Sequence, residues 1–136
     1  AYKPFNQELI VGSKGNKDAA LKWIDDEWND SGSLSTRSRG VIFANGIEDI
    51  MKVSFDMEPD VMFLISDASF QMNKDGNSNY TVDHGDLGKL IEELQKKSTA
   101  FGGCTINFFG FGVKSEDSSS MKRLIRRNKG KYVDIE

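Results

Sequence analysis

The chain has 136 residues, of which 38% are apolar and 29% charged, with a net charge of −3. That is enough for one domain with a core, read here as spanning 1–136, and too little for two of ordinary size. The basic residues do not gather on one element, which argues against nucleic acid as the main partner. No run approaches the ~20 apolar residues of a membrane span. The lone cysteine, Cys104, forms no intrachain disulfide and reads as a small core residue.

In chain order, "ELIVG" (8–12) is compatible with a short first strand. Residues 17–28 follow Asn16 as a candidate N-cap and repeat Ala20, Ile24 and Trp28 every fourth position, a helical period. "NDSGSLSTRSRG" (29–40) reads as a loop. Residues 43–55 place Phe43, Ile47, Ile50, Met51 and Ser54 on one helical stripe. "DVMFLIS" (60–66) is apolar at its centre, as a parallel strand covered on both faces would be. Residues 72–82, "MNKDGNSNYTV", are rich in turn formers and read as an exposed loop.

A helix over 84–98 follows, capped by Asp83, with Leu87, Leu90, Ile91 and Leu94 on its apolar side. "CTINFFG" (104–110) is the next strand. A helix over 117–128 carries Met121, Leu124 and Ile125 and stops at Gly130. "KYVDI" (131–135) is the last strand. Helices separating three strands predict right-handed β–α–β units, hence an α/β, three-layer, Rossmann-like fold with a mainly parallel sheet.

The order "PDVMFLISDASF", long helix, "INFFGFG", short helix, "GKYVDI" resembles the later two-thirds of a von Willebrand factor A-type domain. Upstream, "FNQELIVGSKGNKDAALKWI" and "GVIFANGIEDIMKVSFDMEPD" resemble the third-helix and pre-fourth-strand segments of bacterial members. The resemblance implies a fold lacking the family's first strands, and so a fragment of a longer protein. It implies a non-enzymatic protein-interaction module, for adhesion or scaffolding, with an unnamed protein partner. The bacterial relatives suggest an exported or cell-envelope location.

Many such domains hold a divalent cation at the carboxyl edge of the sheet. The ligands are an Asp-x-Ser-x-Ser loop, a Thr and an Asp after the fourth strand. Here only Asp67 matches, and Ala68 replaces the Gly that follows it. No Asp-x-Ser-x-Ser occurs. Val41 stands where the Thr is expected, with Thr36 several residues away. One carboxylate is a poor site for Mg²⁺. Asp67 is therefore read first as a turn cap and second as a metal ligand. No cofactor is expected unless an upstream loop completes an Mg²⁺ site.

Ser66, Asp67, Ser69, Gly110 and Gly112 are the candidate binding-edge residues, and no catalytic residue is assigned. The alternative reading is a doubly wound nucleotide-binding or metal-dependent enzyme domain using Asp67 and the Gly110/Gly112 turn. In that reading Asp134 would sit near a ribose, although Ser115 stands where the fingerprint needs its third Gly. His84, the only histidine, reads as an exposed residue at a helix start. Asp75, Asn77 and Asn79 only faintly resemble a calcium loop. Arg123, Arg126 and Arg127 complement a helix dipole or meet an acidic partner. With the first strands missing, strand 60–66 should offer an open edge. The expected remedy is a homodimer or pairing with a missing N-terminal segment.

Overall fold

The computed structural model describes residues 5–27, 45–74, 77–98 and 102–135. Its contacts divide the chain into Ala1–Phe43 and Ala44–Glu136. Among its described residues the first unit contributes one helix, α1 (Lys14–Glu27), with no buried residue. It starts earlier than its apolar repeat suggests. Ser13 rather than Asn16 takes the cap position, since the Ser13 Oγ accepts from the Asn16 N–H at 3.2 Å. Among the described residues, 8–12 form no strand.

The second unit runs α2 (Ile47–Asp56), β1 (Val61–Ser66), β2 (Gln71–Lys74), β3 (Asn77–Thr81), α3 (His84–Lys97), β4 (Thr105–Phe111), α4 (Ser115–Arg127) and β5 (Tyr132–Ile135). The central sheet is all parallel, in the order β1-β4-β5. The α/β fold with alternating helices and a parallel sheet is thus observed. Phe43 lies outside the described residues, but Ile47, Met51 and Phe55, spaced four apart, form the buried stripe of α2. Asp83 caps α3 by accepting from the Gly85 and Asp86 N–H groups at 2.7 and 3.1 Å, an arrangement worth about 1 kcal/mol.

The segment 72–82 is not a simple loop. β2 and β3 pair antiparallel, with a register irregularity between Met72 and Lys74. Asp-Gly at 75–76 is a two-residue hairpin signal. Those two residues lie outside the described set, as does the calcium-loop candidate Asp75.

Each strand alternates its faces. Met62, Leu64, Ile106 and Phe108 join one core with Met51 and Phe55 of α2, Leu87 and Ile91 of α3, and Met121, Leu124 and Ile125 of α4. The helices of this unit therefore share one face. The topology explains it. Strands laid down in one direction with right-handed crossovers put every crossover helix on the same side. The other face carries Val61, Phe63, Ile65, Phe111, Val133 and Ile135, all exposed, with Phe63 and Ile65 each at 65%. β1, read as covered on both sides, is covered on one.

Two glycines hold the right-hand side of this sheet together. A Cβ on Gly130 would overlap the Ile106 carbonyl oxygen, so the chain between α4 and β5 crosses directly against the backbone of β4. A Cβ on Gly110 would meet Val113, Phe108 and Tyr132 side-chain atoms at 2.6, 2.9 and 3.0 Å.

Candidate functional site

The candidate residues meet at the carboxyl end of the sheet. Ser66 of β1 lies opposite Gly110 of β4, which lies opposite Asp134 of β5. Beyond Ser66 the chain turns sharply. Asp67 Oδ1 accepts from the Ser69 N–H at 2.9 Å, and Ser66 Oγ accepts from the Ala68 N–H at 3.1 Å. These are the local bonds by which Asp and Ser stabilise turns. The carboxylate of Asp67 thus acts as the turn cap at the end of β1, with its side chain on the surface.

Ala68 has φ 64 and is fully buried. A left-handed alanine costs roughly 1 kcal/mol that a glycine would not. Its carbonyl is held from the other side. His84 Nε2 lies 2.9 Å from the Ala68 oxygen, and since a carbonyl only accepts, Nε2 carries the proton. His84 Nδ1 lies 2.6 Å from Ser120 Oγ on α4.

Ser120 Oγ also lies 2.8 Å from the Asp117 carbonyl, to which it can donate. The single hydroxyl proton serves one of these neighbours at a time. A neutral His84 accepts it at Nδ1. An imidazolium instead donates from Nδ1 and leaves the hydroxyl to the Asp117 carbonyl, with the Asp117 carboxylate 3.9 Å from Nδ1.

The His84 side chain is only 9% exposed and packs edge-on to Phe70 at 5.9 Å. It is a partly buried tie between the β1 turn, α3 and α4, not the exposed residue that its place in the sequence suggests. Its isolation from other His and Cys hid this role. The one available signal was that it immediately follows a strong cap, where the chain turns inward.

The glycine turn has the strand–turn–helix setting of a phosphate cradle, but its chemistry points elsewhere. Gly110 is filled by its neighbours, and Gly112, at φ 60, makes the exposed bend. The first turn of α4 carries Glu116 and Asp117, which oppose an anion at that helix end. Asp134 faces Lys122 at 3.6 Å. The Tyr132 hydroxyl is buried without a hydrogen bond of normal geometry, and burial foremost pushes its pKa up. Cys104 is buried, and desolvation first, then the charge of Asp60, raises its thiol pKa. A thiol held protonated is a core residue rather than a nucleophile.

Among the described residues no three His, Cys, Asp or Glu side chains gather in a way that could hold a metal ion. Val41 and Thr36 lie outside the described residues. The expected result for the isolated chain is a melting temperature unchanged in millimolar Mg²⁺, by differential scanning fluorimetry. A rise of several degrees that disappears in Asp67→Ala would place an ion on Asp67.

The remaining feature is the bare face. Phe63 and Phe109 lie 6.2 Å apart between ring centroids at its middle, with Val61, Ile65, Phe111, Val133 and Ile135 around them. β1 is also an outer strand of the sheet, with β5 at the other edge. Its six residues, Val-Met-Phe-Leu-Ile-Ser, include no Lys, Pro or other device that normally blunts an edge. Among the described residues no helix is long and apolar enough to cross a membrane. No known protein family, curated protein or solved structure matches the chain.

Proposed function

We propose that this chain is a non-enzymatic interaction module resembling the later part of a von Willebrand factor A-type domain. In this reading the metal position is degenerate, and binding is carried by the sheet. The observation that supports it most is the apolar face of Phe63, Ile65, Phe109, Phe111, Val133 and Ile135 beside the open edge of β1, with the polar Thr105 and Asn107 at its amino end. Contiguous exposed apolar surface beyond a few hundred Å² marks a contact surface. The partner supplies a strand to the β1 edge and apolar cover to the Phe63 face. Such a segment comes from N-terminal sequence of the same protein or from another chain; a second copy joined edge to edge closes the edge alone.

The test is the behaviour of the 136-residue chain by itself. With its face uncovered it should self-associate at micromolar concentration in sedimentation velocity and bind an apolar dye. Phe63→Lys, at an exposed position, should reduce both and leave the far-ultraviolet circular dichroism spectrum intact. A monomer with no dye response above that of a compact control protein, unaffected by Phe63→Lys, would show that the face is already covered and overturn the reading.

A further inference from the structure

A second surface, away from the bare sheet face, also has the form of a binding site. A furrow of about 880 Å³ runs between α3 and α4. Its α3 wall extends from His84 to Lys96, about 18 Å at the helical rise of ~1.5 Å per residue. Gly85 and Gly88 leave the first turns of that wall without side chains, opposite Ser120, Arg123, Leu124 and Arg127, while Glu92, Gln95 and Lys96 line its far end.

The free charge in the furrow is positive. Arg123 and Arg127 stand one helical turn apart, and among the described residues neither guanidinium has an ion pair or hydrogen bond. Two like charges at that spacing repel. The helix dipole accounts for Arg127 in the last turn of α4, but it does not reach Arg123. The acidic groups of the lining are already engaged. Asp83 caps α3, and Glu92 pairs with Lys96 at 3.2 Å. Lys129 adds a further cation, with its ammonium donating to the Gly102 carbonyl.

Gly88 is the second, independent sign. It lies inside α3, where glycine is less stable than alanine. Packing does not demand it. A Cβ there would meet only Leu124 Cδ1, at an ordinary 3.9 Å, and its φ is not left-handed. Local rules broken with no structural return are expected at functional surfaces. The bare helix wall keeps the furrow open where a backbone could lie.

We infer that the furrow between α3 and α4 binds an acidic peptide segment in extended form. The peptide backbone lies over Gly85 and Gly88, and its carboxylates meet Arg123 and Arg127. Charge complementarity selects the occupant. A guanidinium pairs a carboxylate with two parallel hydrogen bonds, and the wall length accommodates about five extended residues. This inference is independent of the sheet-face reading, since it uses the opposite side of the helix layer.

The experiment uses the full chain and a fluorescein-labelled hexaglutamate peptide, read by fluorescence anisotropy at low salt. Saturable binding is expected, weakened at least tenfold in Arg123→Glu/Arg127→Glu. Gly88→Leu, which fills the furrow and leaves every charge in place, should weaken it comparably. Gly88→Ala should melt above the parent, showing that the position is free of packing demands. No binding at several hundred micromolar protein overturns the inference. So does loss in the arginine variant alone, which is unspecific attraction. Full displacement by millimolar inorganic phosphate also overturns it, by identifying a small-anion site, and a lowered melting temperature in Gly88→Ala overturns it by giving the glycine a structural cause.

Discussion

Gly130→Ala should leave the second unit largely unfolded, with a loss of more than about 4 kcal/mol. The added methyl has no room, because its atom would overlap the Ile106 carbonyl. The neighbour is backbone, so no rotamer change relieves it. The link is fixed on both sides. Gly130 N–H donates to the Ile125 carbonyl at 3.1 Å, and Ile106 N–H donates to the Asn128 carbonyl at 3.2 Å. Moving the link away from β4 breaks the C-terminal stop of α4 and the pairing of β5 together. Domains of this size have only ~5–15 kcal/mol in all. Urea unfolding followed by circular dichroism measures the effect. A midpoint displaced by the equivalent of less than about 1 kcal/mol would mean that the crossing is not tight.

The second large effect is a contrast between two phenylalanines of the same sheet. Phe108→Ala should cost about 3–5 kcal/mol, the range for a fully buried aromatic. Phe108 is completely buried, stacked on Tyr132 at 5.2 Å between centroids, and part of the core shared by all three helices. Phe63→Ala, on the opposite face and 65% exposed, should cost less than about 1 kcal/mol. Equilibrium unfolding of the two variants measures the difference. Equal losses would show that the Phe63 face is buried in solution.

The strands and helices of the second unit were legible because their signals are periodic and punctuated. Val61–Ser66 and Thr105–Phe111 are apolar runs bounded by Asp60, Asp67 and glycines, and Asp83 is a strong cap. The hairpin was obscured because Asn, Ser and Lys are weak strand formers. Its one clear sign was the Asp-Gly pair in the middle of what otherwise reads as loop. The one-sided cover was not legible in β1 itself, since Val-Met-Phe-Leu-Ile reads the same whether one face or both are packed. At the candidate site, Asp67 and the glycine turn were found by position. His84 was not, because its partners Ala68 and Ser120 are 16 and 36 residues away and neither is a residue type that advertises a contact. The α3–α4 furrow is likewise a property of two helices together.

The order β1-β4-β5 also restricts what can complete this sheet. Consider a second copy joined through β1 to β1. The closed arrangement makes the two edge strands antiparallel around a dyad perpendicular to the sheet. Such a rotation reverses strand direction but keeps each face on its own side. All the helices of both copies then lie above the six-stranded sheet, and the two bare faces merge below it. Symmetry of that kind satisfies the edge and doubles the uncovered surface. Strands added outward from β1 and wound in the reverse sense behave differently. Their right-handed crossovers fall on the opposite side, over the face that holds Phe63. One polypeptide segment of reversed winding therefore closes the edge and the face together, which no edge-to-edge dimer of this chain does.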